Sequence, residues 1–269
     1  MGEWWRELGD ELAGLVLPSA CAGCGLPRVR EELCRTCGNA LRRAVPRRVD
    51  PRPAPPGLPR VYAALPYTGE VRTVLLAHKE RGALRLAAPL GRLLAAVVRT
   101  AYARTRGPSG AAAGTRPLPG AGSRAGASGS PGAPLTLVPV PSARRTVAGR
   151  GHDPVRRMAL AAARELRRAG VPARVLAVLR HGRAVADQAG LTARQRLANL
   201  DGALEMVPDG ERLLWEGETV LVDDLMTTGA SLAEAGRAVR IRGPEVTAAA
   251  VVAFRPRPGG GQHSDVADS

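Results

Sequence analysis

The chain has 269 residues, 45% of them apolar and 3% aromatic, with 39 Lys and Arg against 24 Asp and Glu for a net charge of +15. That apolar share excludes disorder of the whole chain, and the length suits one large or two modest domains. A single Phe, Phe254, leaves Leu, Val and Ala to build the core and argues against the aromatic base-stacking platforms of RNA-recognition modules.

Taken in chain order, residues 1–45 hold all four cysteines and read as a zinc-binding segment. A Pro/Arg-rich linker is expected over 46–59, and the main domain over 60–254. It opens with a strand at Val61–Leu65. Val71, Val74, Leu75 and His78 follow at helical spacing, and then Leu86, Leu90, Leu93, Leu94, Val97 and Val98 form the apolar stripe of a second helix. Residues 105–134 are Gly, Ala, Ser, Pro and Arg with almost no large apolar side chain. They cannot bury enough surface to offset their chain entropy and read as a disordered insertion. The tail at 255–269 reads the same way.

A short buried strand resumes at Leu135–Pro139. The next helix start is well marked: Asp153 can cap it, Pro154 fits its first position and Gly170 ends it. Further strands are expected at Arg174–Leu179, Thr219–Val222 and Val246–Phe254, with a helix at Ala230–Arg242. This alternation is that of an α/β fold with a parallel sheet flanked by helices, in which ligands bind at the carboxyl ends of the strands.

No uncharged apolar run approaches the ~18 residues of a membrane span. The N-terminus also lacks the basic-then-apolar order of a signal peptide, so no membrane span and a cytoplasmic location are expected. The net charge of +15 attracts polyanions in a salt-dependent way. Every basic residue except Lys79 is Arg, which is equally the mark of a G+C-biased coding sequence. The charge alone therefore does not separate an Arg-rich surface from a nucleic-acid groove.

Cys21-x2-Cys24 and Cys34-x2-Cys37 form two knuckles nine residues apart. Four thiolates close a tetrahedral zinc site with no position left for water, so the metal is expected to be structural. Disulfides, the alternative, are disfavoured in a reducing compartment.

The most informative stretch runs from Thr219 to Ser231: a buried strand, the acids Asp223 and Asp224, then Leu225-Met226-Thr227-Thr228-Gly229-Ala230-Ser231 opening a helix. A helix N-terminus offers unpaired N–H groups and partial positive charge to a phosphate. Gly229 and Ala230 allow close backbone approach, while Thr227, Thr228 and Ser231 add hydroxyls. The two acids would repel a phosphate beside them, so ribose hydroxyls are their expected partners. A capped turn with no ligand, or a Mg²⁺-binding acid pair, uses the same residues.

The stretch resembles the phosphoribosyl pyrophosphate (PRPP) signature of type I phosphoribosyltransferases, departing from it only at Thr219, where an apolar residue is usual. Other pieces are similar to the ComF/GntX family. They are Pro139-Val140-Pro141 with Arg144, Arg145 and Arg150-Gly151-His152-Asp153; the block Gln188–Leu200; Lys79 ahead of Gly82; and the cysteine pairs. His152 and Asp153 stand where that family has Phe and Asn. The resemblance implies a phosphoribosyltransferase-like fold, linked to bacterial DNA uptake and competence. It implies Asp223 and Asp224 as the catalytic acids and Thr227–Ser231 as the phosphate turn, with Lys79, Arg144 and Arg150 as cationic partners of the pyrophosphate. Mg²⁺ would accompany PRPP, or a related sugar-phosphate, and the reaction would be phosphoribosyl transfer to an unidentified base. The alternative function is a non-catalytic adaptor that binds single-stranded DNA or a competence helicase and keeps a vestigial or sensory PRPP site. Of the few aromatics, Tyr62 and Tyr67 are the candidates to contact a base, with a core role the competing reading for both.

Overall fold

The computed structural model describes residues 20–106, 133–142, 152–183, 195 and 199–256. Arg144, Arg150 and all of the block 188–200 except residues 195, 199 and 200 lie outside them, as do nearly all of the expected insertion and tail.

The elements are α1 (Arg35–Arg43), β1 (Arg47–Val49), β2 (Val61–Pro66), α2 (Gly69–Glu80), α3 (Ala87–Arg106), β3 (Leu135–Pro139), α4 (Pro154–Arg168), β4 (Ala173–Val175), β5 (Leu179–His181), β6 (Leu204–Met206), α5 (Gly210–Leu214), β7 (Thr219–Met226), α6 (Ala230–Arg242) and β8 (Val246–Phe254). Six strands form one sheet in the order β1-β2-β8-β7-β3-β4, and β5 and β6 form a separate pair. All pairs in the large sheet are parallel except β1 with β2. This is a mixed α/β chain with a mostly parallel central sheet flanked by helices.

The strands are buried on both faces, as parallel strands are. Alternation sends Val220, Val222, Ala248, Ala250 and Val252 to a cluster shared with α2, α3 and α4. Leu221, Ala249 and Val251 go to the opposite cluster, shared with α6 and the β5–β6 pair. The core is Leu, Val and Ala, as the composition implies, and Tyr62 is a buried member of it.

Strand order sets the place for chemistry. From β3 the chain crosses through α4 to β4 on one side. From β7 it crosses through α6 to β8 on the other side and on the other face. The connections therefore diverge between the neighbours β3 and β7, and ligands of open α/β sheets bind outside the carboxyl ends of strands at such a switch point. Pro139 ends β3 there, and Asp223–Met226 end β7.

Three local expectations change. The linker is structured at its start: Arg47–Val49 extends the sheet as an antiparallel edge, with Val49 buried. The apolar run 174–179 is not one strand. β4 follows β3 as far as Val175, the chain then leaves the sheet, and Leu179–His181 pairs with β6 instead. An apolar run shows burial, but the hydrogen-bonding partner decides where one strand stops. Finally, β7 runs past the expected end at Val222 to Met226, so both acids lie within the strand, with Asp223 paired to Val251 of β8.

Candidate functional site

The four cysteine sulfurs lie within 4.8 Å of one another. A tetrahedron with Zn–S near 2.3 Å has edges of about 3.8 Å, so the donor set suits a tetrahedral ion, and the four residues are positioned to bind one. Cys24 Sγ and Cys34 Sγ are 3.6 Å apart. Cys34 caps α1, its sulfur accepting the Cys37 N–H at 3.5 Å, and Cys21 Sγ accepts the Cys34 N–H at 3.2 Å. Burial opposes ionisation of Cys21, but the N–H groups of Cys34, Cys24 and Gly23 outweigh it and bring the thiol down to about 6. Burial and the neighbouring thiols push Cys37 up. A Cβ on Gly23 would stand 2.9 Å from Cys37 Sγ, so glycine is required for the knuckle to close. The segment is tied to the main core through Leu41 of α1, with Ala22, Leu33 and Ala44 packed against the same cluster.

At the switch point the two acids differ sharply. Lys79, from the last turn of α2, donates to Asp224 Oδ2 at 2.8 Å, and Asp224 is 5% exposed. Burial pushes the Asp224 carboxyl up, yet the Lys79 ammonium outweighs it and holds the acid below its ordinary value. Asp223 takes the Asp224 N–H on its Oδ1 at 2.8 Å. Burial and the charge on Asp224 raise it well above the ordinary carboxylate range. Lys79 therefore reaches the crevice, where it is engaged with a carboxylate.

His78, beside Lys79, is buried, with its ring between the carbonyls of Pro154 (Nε2, 3.2 Å) and Ala83 (Nδ1, 3.4 Å). Burial lowers its pKa. His152 Nε2 donates to the His78 carbonyl at 3.2 Å, and Asp153 accepts the Arg156 N–H at 3.0 Å as the cap of α4. His152 and His78 thus join α2 to the start of α4, which Asp153 caps.

The turn after β7 differs from the expectation in the role of its glycine. Gly229 has φ +80° and precedes α6, leaving Thr227, Thr228 and Ser231 half-buried and Ala230 buried. A Cβ on Gly229 would not intrude on an open approach. It would meet Leu58 at 3.1 Å and Pro51 at 3.3 Å. The linker covers that side of the turn, and Arg240 of α6 holds it by donating to the Gly57 carbonyl at 3.1 Å. Thr228 Oγ1 accepts the Ala230 N–H at 3.4 Å. The accessible side of the turn is thus made by the hydroxyl residues, not by Gly229 and Ala230.

The sequence carries no signal that marks Glu234, Arg237 or His181 as site residues. Glu234 and Arg237 show there only as an ordinary i,i+3 pair on a helix. His181 Nε2 donates to the Pro141 carbonyl at 3.2 Å, while its buried Nδ1 has no partner. A cleft of about 750 Å³ lies between Cys24 and α2, lined by Glu70, Arg72, Thr73 and Arg81. It contains none of the expected phosphate-turn residues. No helix among the described residues is long and apolar enough to cross a membrane.

No protein-family model and no curated protein matches the chain.

Proposed function

We propose that this chain is a phosphoribosyltransferase-like protein that binds PRPP as its Mg²⁺ complex at Asp223–Ser231 and transfers the phosphoribosyl group to a base. The observation that carries the reading is one of placement: the acid pair and the hydroxyl-bearing turn before α6 both sit at the switch point between β3 and β7. The α6 N-terminus and the hydroxyls of Thr227, Thr228 and Ser231 receive the phosphate. The acids take the ribose hydroxyls. Lys79, released from Asp224, turns to the pyrophosphate, joined by Arg144 and Arg150. Mg²⁺ enters as part of the substrate. Pyrophosphate leaves C1 as a base nitrogen attacks, and cationic groups fixed at the crevice stabilise the departing charge. The cysteine cluster holds a structural zinc.

A second reading is favoured by the Lys79–Asp224 ion pair, which occupies one of the two acids. In it the protein is a non-catalytic competence adaptor for single-stranded DNA or a helicase, with a sensory PRPP site. Calorimetry with PRPP and Mg²⁺, followed by a screen of bases for pyrophosphate release, tests both. Binding with release supports the enzyme, and binding without release supports the sensor. No heat at millimolar PRPP removes both. Changing Asp223 and Asp224 together to Asn is expected to abolish release while metal content at the cysteines stays intact.

A further inference from the structure

The β5–β6 pair touches both walls of the crevice. At the β3 wall, His181 of β5 holds the Pro141 carbonyl. At the α6 wall, Leu204 of β6 gives both of its main-chain groups to one ion pair. Its N–H donates to Glu234 Oε1 at 2.8 Å, and its carbonyl accepts from Arg237 Nη2 at 3.0 Å. Arg237 closes the arrangement on Glu234 through Nε to Oε2 at 2.6 Å and Nη2 to Oε1 at 2.7 Å. Just before Leu204, Leu200 and Ala203 pack on Ala230, the first residue of α6. Glu234 is 5% exposed. Burying a carboxylate is costly unless its acceptors are filled, and here they are filled by a residue on its own helix and by the main chain of another element. An i,i+3 pair serving only its own helix would sit at the surface, with no need for burial.

We infer that β5–β6 braces the crevice and that Glu234 and Arg237 are positioning residues for the phosphate turn. By gripping Leu204 they press Ala203 and Leu200 onto Ala230. This holds the first turn of α6 in register with the Pro139–Pro141 turn. The ligand in this inference rests on the proposed PRPP reading, but the brace itself does not.

The test compares the wild type with Glu234→Ala, Glu234→Gln and Arg237→Gln in the full-length protein. Amide exchange over residues 227–233 is expected to accelerate at least tenfold in Glu234→Ala, with β2, β8 and the cysteine segment unchanged. PRPP–Mg²⁺ affinity should fall about tenfold. Glu234→Gln, which keeps an acceptor for the Leu204 N–H, should recover most of both effects. Should Glu234→Ala fail to fold, Arg237→Gln carries the same expectations with smaller amplitude. Unchanged exchange over 227–233 in a folded variant overturns the brace, as does equal acceleration in β8, which would mark general destabilisation. If the wild type binds no PRPP, the functional reading fails while the exchange experiment still decides the brace. Wild-type binding with undiminished affinity in Glu234→Ala overturns the positioning role alone.

Discussion

Lys79 Nζ lies 2.8 Å from Asp224 Oδ2, joining the end of α2 to the end of β7 across 145 positions of sequence. The contact places the chain's one lysine on one of its two strand-end acids. Removing one partner of a buried pair strands the other charge, at a cost of 3–5 kcal/mol when both are fully buried. A third of the Lys79 side chain reaches solvent, so the loss is smaller. Lys79→Met is expected to lower unfolding free energy by roughly 2 kcal/mol, measured by urea denaturation. Changing Asp224 to Asn in the Lys79→Met background should restore part of it, because no buried charge then remains. An unrestored loss would show that the two groups are not coupled.

The two acids should act on stability in opposite pH windows. Asp224 is held below its usual 3.8, so beneath 3.8 the unfolded chain binds more protons there, and stability falls as the pH drops. Asp223 is raised well above 3.8. Between 3.8 and that raised value the folded chain binds more protons, and stability falls as the pH rises. Asp223→Asn is therefore expected to be the more stable protein at pH 7, with its advantage shrinking toward pH 4. Chemical denaturation across that range checks the sign. A variant less stable than the wild type at neutral pH would refute it.

For the cysteine cluster, chelation or Cys37→Ser should release one metal ion per chain. Protection of α1 against amide exchange should be lost, because Cys34 and Cys37 build its first turn. The central sheet should keep its protection, since among the described residues of the segment Leu41 alone is a buried member of its core, with Ala22, Leu33 and Ala44 at the margin. Metal analysis paired with hydrogen exchange reads both parts. Loss of protection in β7 and β8 would show that the ion supports the whole fold.

Gly91 marks where α3 and α4 press together. A Cβ there would stand 2.3 Å from Ala161 Cβ and 3.0 Å from the α4 backbone. Backbone cannot swing aside, so Gly91→Ala must separate the helices. A loss of about 2–3 kcal/mol is expected, against a gain of up to about 1 kcal/mol from helix propensity alone. Thermal denaturation that shows stabilisation would mean the helices part at no cost.

Much of the architecture was legible because it is local. The Asp153–Pro154 start of α4 and the bounds of α6 and β8 follow from caps, breakers and apolar periodicity, which act within a few residues of chain. The cysteine spacing likewise announces four sulfurs converging on one point. The turn from Thr227 to Ser231 was readable as a pattern, but the reason for Gly229 was not. Its Cα faces Leu58 and Pro51, from a linker about 170 positions earlier.

What tertiary structure alone decided is which charges meet. Nothing in the order of residues pairs Lys79 with Asp224, or sends Glu234 and Arg237 to the main chain of Leu204. Coulomb attraction and hydrogen bonding depend on distance in space, and that distance is set by the strand order β8-β7-β3 and the packing of helices on either face. The sequence by itself determined most of the helices and strands, the cysteine spacing and the acid-bearing turn. The fold decided that one acid is paired with a lysine, that the other is driven toward its protonated form, and that Leu204 of β6 is hydrogen-bonded to Glu234 and Arg237 of α6.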